Sequence, residues 1–240
     1  MRYLVTISYD GSNFYGFQRL VGQRSVQEEL EKVLTIINKK KTQIKGAGRT
    51  DKGVHAYGQR AHFDLDISIP KDKLKKAIND MLPSDIRITN ISIVEDSFHA
   101  RFNVKKKIYQ YKINIGEYDP LLNNYYYQFN NKLNMNTLRK CAKLFLGVHM
   151  FKNFVSGTRD NYQAIIYKIS IKKEKNFITI TFVGQSFYRY MVRNMVGAML
   201  DVSTNKASIN DIKEMLEKYD IKKQLSCAPA QGLYLMKIFY

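Results

Sequence analysis

Ser25-Val26-Gln27-Glu28-Glu29-Leu30-Glu31-Lys32-Val33-Leu34-Thr35-Ile36-Ile37 reads as an amphipathic helix, the element the neighbouring strands must cover. Ser25 and Glu28 have the spacing of a capping box, in which the hydroxyl accepts from an orphan helix amide and the carboxylate reaches back to the cap. Val26, Leu30, Val33, Leu34 and Ile37 fall on one face. A helix with one apolar face must bury it, and the segment upstream offers the surface. Tyr3 to Tyr9 alternates as a strand does, and the turn-rich Asp10-Gly11-Ser12-Asn13-Phe14-Tyr15-Gly16-Phe17-Gln18-Arg19 separates the two.

Working outward, a strand leads into the glycine-rich stretch 46–56, and another follows near Tyr57 to Leu65. A helix is expected over Lys71 to Leu82, stopped by Pro83, then a strand over Ile86 to Val94. A boundary near Val104 divides the chain into halves 1–103 and 104–240. The second half repeats the mixture. Ile108 to Ile115 reads as a strand, Asn136 to Leu146 as a helix, and Ile165 to Lys172 with Phe177 to Val183 as a hairpin around Lys173-Glu174-Lys175-Asn176. An apolar helix is expected over Phe187 to Val202, and an amphipathic one over Ser208 to Tyr219 with Ser208 and Asp211 as its capping box. Leu233 to Phe239 closes as a strand. Strands and helices mix without the strict alternation of a doubly wound sheet, which places the chain in the α+β class.

The 240 residues carry 39 Lys and Arg against 21 Asp and Glu, a net charge of +18. A field of that size draws anions. Nucleic acid leads, because Lys and Arg release condensed counterions when they neutralise phosphates. A membrane surface is second, but no basic amphipathic helix stands apart from the core-forming ones. The bland alternative is a merely lysine-rich composition. No apolar run approaches the roughly 20 residues a bilayer span requires. Met1-Arg2-Tyr3-Leu4-Val5 enters a strand pattern directly, so no signal peptide is expected and the protein is expected in the cytoplasm. Cys141 and Cys227 lie far apart, and His55, His62, His99 and His149 are scattered, so no metal site assembles from spacing and metal-free chemistry is expected.

Within Gly46-Ala47-Gly48-Arg49-Thr50-Asp51-Lys52-Gly53-Val54-His55-Ala56, one carboxylate sits among cations and glycines. A nearby guanidinium favours the ionised form, and an ionised, held carboxylate serves as nucleophile or general base. Gly48 and Gly53 permit tight backbone turns and close approach of a substrate. A bare Arg-Thr-Asp would be read first as a turn in which Asp caps its own backbone; the longer string is far more specific.

The chain resembles the TruA family of tRNA pseudouridine synthases along essentially its whole length. The segments that carry the resemblance are Tyr9-Asp10-Gly11-Ser12 with Tyr15-Gly16-Phe17-Gln18-Arg19, then Ser25-Val26-Gln27-Glu28, then Gly48-Arg49-Thr50-Asp51-Lys52-Gly53-Val54-His55. Phe98-His99-Ala100-Arg101-Phe102, Tyr109-Gln110-Tyr111, Ser186-Phe187 with Met191-Val192-Arg193-Asn194, and Gly232-Leu233-Tyr234-Leu235 follow in order. The resemblance implies two related ferredoxin-like or RRM-like halves sharing a mixed, mostly antiparallel sheet, with a basic cleft between them. It implies Asp51 as the nucleophile, Tyr109 stacked on the target uracil, and Arg193 paired with the catalytic carboxylate. Arg49 and Arg101 are implied as RNA contacts that help hold a flipped nucleotide, and Leu235 as a substrate contact. Phe98, His99, Ala100 and Phe102 are implied as RNA-binding. It further implies a homodimer acting on the anticodon stem-loop of tRNA, with neither DNA nor membrane as a partner. No cofactor is implied, because isomerising uridine to pseudouridine oxidises nothing and adds nothing.

Taken singly, the residues have plainer readings. Tyr109 is one of 17 tyrosines and suits a strand; Arg193 suits a surface arginine whose stem packs on apolar neighbours. His55 and His99 suit hydrogen-bonding or packing roles better than acid–base ones, and Phe187 and Met191 suit the core. The chain departs from the family at Phe17, where tryptophan is common, and over 155–164, which lacks the usual threonine-and-arginine pattern beside the RNA. That second departure motivates ribosomal RNA as an alternative substrate. A non-catalytic RNA-binding or RNA-folding protein is the rival from another class, and the joint presence of Asp51, Tyr109 and Arg193 argues against it.

Overall fold

The computed structural model describes residues 1–218 and 224–240. In chain order its strands and helices are β1 (Arg2–Tyr9), α1 (Val26–Asn38), β2 (Lys45–Gly46), β3 (His55–Asp64), α2 (Lys71–Met81), β4 (Ile86–Val94), β5 (Lys106–Asn114) and β6 (Tyr127–Gln128). They continue with α3 (Met135–Leu144), β7 (Gly147–Met150), β8 (Gln163–Glu174), β9 (Phe177–Gly184), α4 (Met191–Ser203), α5 (Ile209–Glu217) and β10 (Leu233–Phe239). The chain divides into two compact units, one of residues 1–105 with 234–240 and the other of residues 106–233. The closing strand, which the sequence reading placed in the C-terminal half, thus belongs from Tyr234 onward to the first unit.

In the first unit β1 lies antiparallel to both β3 and β4. Its side chains Tyr3, Val5 and Ile7 are buried completely. The far edge of β3 is shared. Lys45 and Gly46 of β2 pair antiparallel with His62 and Ala61, while Tyr234 and Leu235 of β10 pair parallel with His55 and Ala56. Gly58 permits that approach, since a Cβ there would stand 2.3 Å from the Met236 carbonyl oxygen. Helix α1 buries Val26, Leu30, Val33 and Leu34, as the periodicity requires. Ile37 is only half-buried. Ser25 caps the helix by accepting from Glu28 N, but the return half of the expected capping box is replaced, with the Glu28 carboxylate drawn to Lys32 at 3.5 Å. Buried Glu31 accepts from Arg19, Gln27 and the Ile44 amide, which fixes the helix against the run into β2.

In the second unit β5 pairs antiparallel with β9, β9 with β8, and β8 with β7, while β6 adds a short parallel ladder to β5. The hairpin turn is tighter than expected. β8 runs to Glu174, and Lys175 and Asn176 alone connect the strands, with Lys175 at φ 51 as such turns require. The expected helix over Phe187 to Val202 begins later, at Met191, because Tyr190 takes a left-handed conformation (φ 63) that ends helical geometry upstream. Helix α4 buries residues on every side. Asp201 on α4 receives the Ser226 amide and hydroxyl at 2.7 and 2.9 Å. Ser208 and Asp211 form the expected capping box on α5, and Tyr219, its expected last residue, lies outside the described residues. Both units are thus α+β with mostly antiparallel pairing.

Candidate active site

The loop bearing Asp51 connects β2 to β3 across residues 47–54 and is held by the turn that follows β1. The Phe17 amide donates to the Thr50 carbonyl at 3.2 Å, and the Gly53 amide donates to the Phe14 carbonyl at 3.2 Å. The two bonds bracket Asp51 and Lys52. Gly16 (φ +98) is required there, because a Cβ would stand 2.4 Å from the Thr50 carbonyl oxygen. Gly11 is required for the same reason against the Val54 oxygen, at 2.1 Å. Phe17 explains itself: its ring lies over Gly46, where any Cβ would strike it at 2.4 Å.

Side chains secure the loop from beneath. The Tyr9 hydroxyl shares a buried hydrogen bond with the Thr50 hydroxyl at 2.8 Å, and burial pushes the Tyr9 phenol up to about 12, so it keeps its proton. Fully buried Gln59 donates to the Gly48 carbonyl at 2.9 Å. At the far end of the loop, His55 Nδ1 lies 3.0 Å from the Gly11 amide and 3.1 Å from Asp10 Oδ1. One nitrogen cannot accept from the first and donate to the second at once. Asp10 Oδ1 already accepts from the Ser12 amide and hydroxyl, so the Gly11 bond takes the nitrogen. The His55 ring stacks on Tyr234 at 4.7 Å, which gives it a packing and hydrogen-bonding role. Above this lattice Arg49 and Lys52 are exposed, and Asp51 between them is half-exposed. A carboxylate is therefore presented on a braced loop with a cation on either side.

The link 98–102 lies elsewhere in the same unit. Arg2 donates to the Asp96 and Phe98 carbonyls and forms a double hydrogen bond with Asp64. Ala100 is fully buried; its amide donates to His62 Nδ1 at 3.1 Å and its carbonyl accepts from the Tyr240 hydroxyl at 3.0 Å. These bonds leave its neighbours outside. Phe102 is 76% exposed and rests on the His99 ring at 4.3 Å, with the exposed Arg101 beside it. Burial, then His99 and Arg2, push the His62 imidazole down to about 4, so it is neutral and able to accept. Leu235 is fully buried on β10, opposite Ala56.

In the second unit Tyr109 lies on β5, 7% exposed, with Phe187 edge-on to it at 5.1 Å. Phe187 does not ride on a helix, as the sequence suggested, but on the segment between β9 and α4. Arg193 stands in the first turn of α4. Its Nε donates to the Ala228 carbonyl at 2.8 Å, and its carbonyl receives the Ala228 amide at 3.1 Å. The guanidinium lies 4.7 Å from the Tyr190 ring centroid. This is a fixed arginine rather than one trailing into solvent. The sequence reading missed Tyr190, Thr50, Gln59 and Tyr9 as supports. Two of them had a visible signal, Tyr9 at the head of the first motif and Thr50 directly before Asp51.

Among the described residues no group of three or more His, Cys, Asp or Glu is placed to hold a metal ion, and no helix is long and apolar enough to cross a membrane.

Comparison with known proteins gives the class. A family model described as tRNA pseudouridine synthase matches residues 5–103 and 141–240. A protein from Geobacillus sp. (strain WCH70), named tRNA pseudouridine synthase A, is 42% identical over 239 residues, covering 98% of this chain and 96% of its own. Proteins of the same name from Phytoplasma mali (strain AT) and Bacillus subtilis (strain 168) are 41% and 38% identical, covering 99% and 100% of this chain and 98% and 99% of their own. The chain belongs to the tRNA pseudouridine synthase family, isomerases that convert uridine to pseudouridine.

Proposed function

We propose that this chain isomerises uridine in the anticodon stem-loop of tRNA, with Asp51 as the nucleophile. The observation that carries the reading is the bracing of the Asp51 loop. Thr50, Gly48 and Gly53 are each tied by a hydrogen bond to the β1 turn, to β1 or to β3, while Arg49 and Lys52 are exposed and Asp51 between them is half-exposed. A loop built for a turn alone does not need that support; a carboxylate that must meet one carbon atom does. In the reaction the N1–C1′ bond breaks, C5 bonds to C1′, and the C5 hydrogen leaves as a proton while N1 gains one. Atoms and electrons balance without a cofactor.

The target nucleotide must leave its stack before C1′ is reachable. Tyr109 is proposed to stack on the extruded uracil, which offsets roughly 1–3 kcal/mol of lost stacking. Arg193 is proposed to pair with the Asp51 carboxylate; Leu235, expected as a substrate contact, is fully buried and would serve the site only by supporting it from beneath. Arg49 and Arg101 are proposed to grip phosphates, and Phe98, His99 and Phe102 to line the path of the RNA. Ala100, fully buried, would serve that path by holding its neighbours in place. The charge of +18 supports an RNA partner. The reading includes a basic surface around Asp51, a cytoplasmic location, and a homodimer in which one RNA touches both subunits.

The test is to incubate the protein and an Asp51→Ala variant with unmodified tRNA and ribosomal RNA and to map pseudouridine. Product in the anticodon stem-loop with the parent and none with the variant is expected, with RNA binding retained. Product confined to ribosomal RNA would move the substrate; equal product from both proteins would remove Asp51 from the reaction.

A further inference from the structure

The first unit spends a large aromatic ring in a way neither its core nor the roles above explain. Tyr15 is 42% exposed, yet the backbone on either side of it is held in place. Phe14, before it, is buried, receives the Gly53 amide through its carbonyl, and lies under the Arg24 guanidinium at 4.2 Å. Gly16, after it, is pressed against the Thr50 carbonyl. The Tyr15 amide itself donates to the Arg24 carbonyl at 2.9 Å. The Cα of Tyr15 is therefore fixed beside residues 50–53 whatever its side chain does, and the ring is left at the surface. There the Lys52 ammonium stands 3.9 Å from the ring centroid. Lys52 is exposed and follows Asp51 directly.

We infer that Tyr15 and Lys52 form a preorganised lip beside Asp51 that engages the RNA strand next to the target nucleotide. Tyr15 stacks on a neighbouring base and Lys52 takes a phosphate. An exposed cation resting on an exposed ring is weakly held, so the ammonium leaves the ring for a phosphate at little cost and uncovers a face for stacking. The rigid backbone keeps the ordering cost of the platform low, which is where preorganisation yields affinity. The inference rests on the RNA-isomerase reading and extends it by naming two positioning residues.

The chain contains no tryptophan, so Tyr15→Trp introduces a single reporter that keeps the aromatic face. Titrated with unmodified tRNA transcript, its emission is expected to be quenched as the RNA binds. Tyr15→Ala is expected to weaken RNA binding by about tenfold or more, with the loss in KM rather than kcat, and Tyr15→Phe to restore it. Lys52→Gln is expected to lower the slope of log affinity against log salt by about 1. Unquenched Tyr15→Trp emission at saturating RNA, with filter retention showing the RNA bound, would overturn the inference. So would an unchanged KM in Tyr15→Ala. If the parent forms product while either result is obtained, the lip falls and the isomerase reading stands; if the parent forms none, both fall together.

Discussion

The two units share one ground plan and differ in where they elaborate it. In the first, strand, helix, strand, strand, helix and strand run in order, with β3 inserted beside β1. In the second, β5, α3, β8, β9 and α4 repeat the first five elements of that order, with β6 and β7 added and β9 inserted beside β5. The connection between the second and third strands of each plan then diverges. In the second unit it is the Lys175-Asn176 turn; in the first it is the opened loop 47–54 that carries Asp51. The connection from third strand to second helix is where the second unit invests instead, placing Phe187 against Tyr109 and a left-handed Tyr190 under Arg193. A common frame thus carries a carboxylate loop in one unit and an aromatic–arginine helix start in the other. In each, a glycine lets backbone close on backbone to hold the chemistry still.

Both elaborated segments depend on their glycines. Gly16→Ala forces a Cβ to within 2.4 Å of the Thr50 oxygen, and Gly197→Ala forces one to within 1.7 Å of the Ser226 oxygen, beside the segment tied to Arg193. Each is expected to cost about 3 kcal/mol in chemical denaturation and to lower kcat/KM by on the order of 10²-fold. Gly147→Ala, at φ +93 with no atom within 4 Å of the added carbon, is the control. It should cost about 1 kcal/mol, the backbone strain alone. Equal losses at Gly16 and Gly147 would show that the bracing of the Asp51 loop has no special role.

Acid should act on the first unit through His62. Its folded-state value near 4 lies below the unfolded value near 6.5, so the unfolded chain takes the proton first. The stabilisation is complete above about 6.5 and is lost as pH falls toward 4, up to about 3 kcal/mol. Burial first, then the Lys45 and Arg2 charges, also lower His99, which adds in the same direction. Melting temperature at pH 7 and pH 5, compared between the parent and His62→Gln, reads this directly; the parent should lose more.

Smaller effects sharpen the same contrast. Tyr9→Phe leaves the Thr50 hydroxyl without its buried partner and should cost about 1–2 kcal/mol while slowing the reaction. Ser208→Ala removes one half of the α5 capping box, should cost about 1 kcal/mol, and should leave kcat unchanged, because that helix start lies outside both elaborated segments.

Much of the frame was legible because local rules and tertiary packing agree. β4 and β10 lie on the expected residues, and α1 and α2 within two of them, since alternation, caps and Pro83 all point one way. The start of α4 was not legible. Phe187 to Val202 is rich in apolar residues, and nothing in such a run announces that Tyr190 will turn left-handed and set Phe187 apart from the helix. Membership of the final strand in the first unit was hidden for a different reason. Register between segments some 180 residues apart, such as His55 opposite Tyr234, leaves no local trace. At the site, Asp51 and its flanking cations stood out by composition. Among its supports Gln59 did not, because it looks like an ordinary strand residue until burial and a hydrogen bond reveal it.

The role of Asp51 is read most directly from the hydrogen at C5 of the target uridine. That hydrogen must leave when C5 bonds to C1′, so tRNA transcript labelled with tritium at uridine C5 releases it to water at the rate of isomerisation. The parent is expected to release it, and Asp51→Asn to release it at least about 10³-fold more slowly with its melting temperature and RNA affinity unchanged. Release by Asp51→Asn at the parent's rate would contradict the assignment of the chemistry to the braced loop.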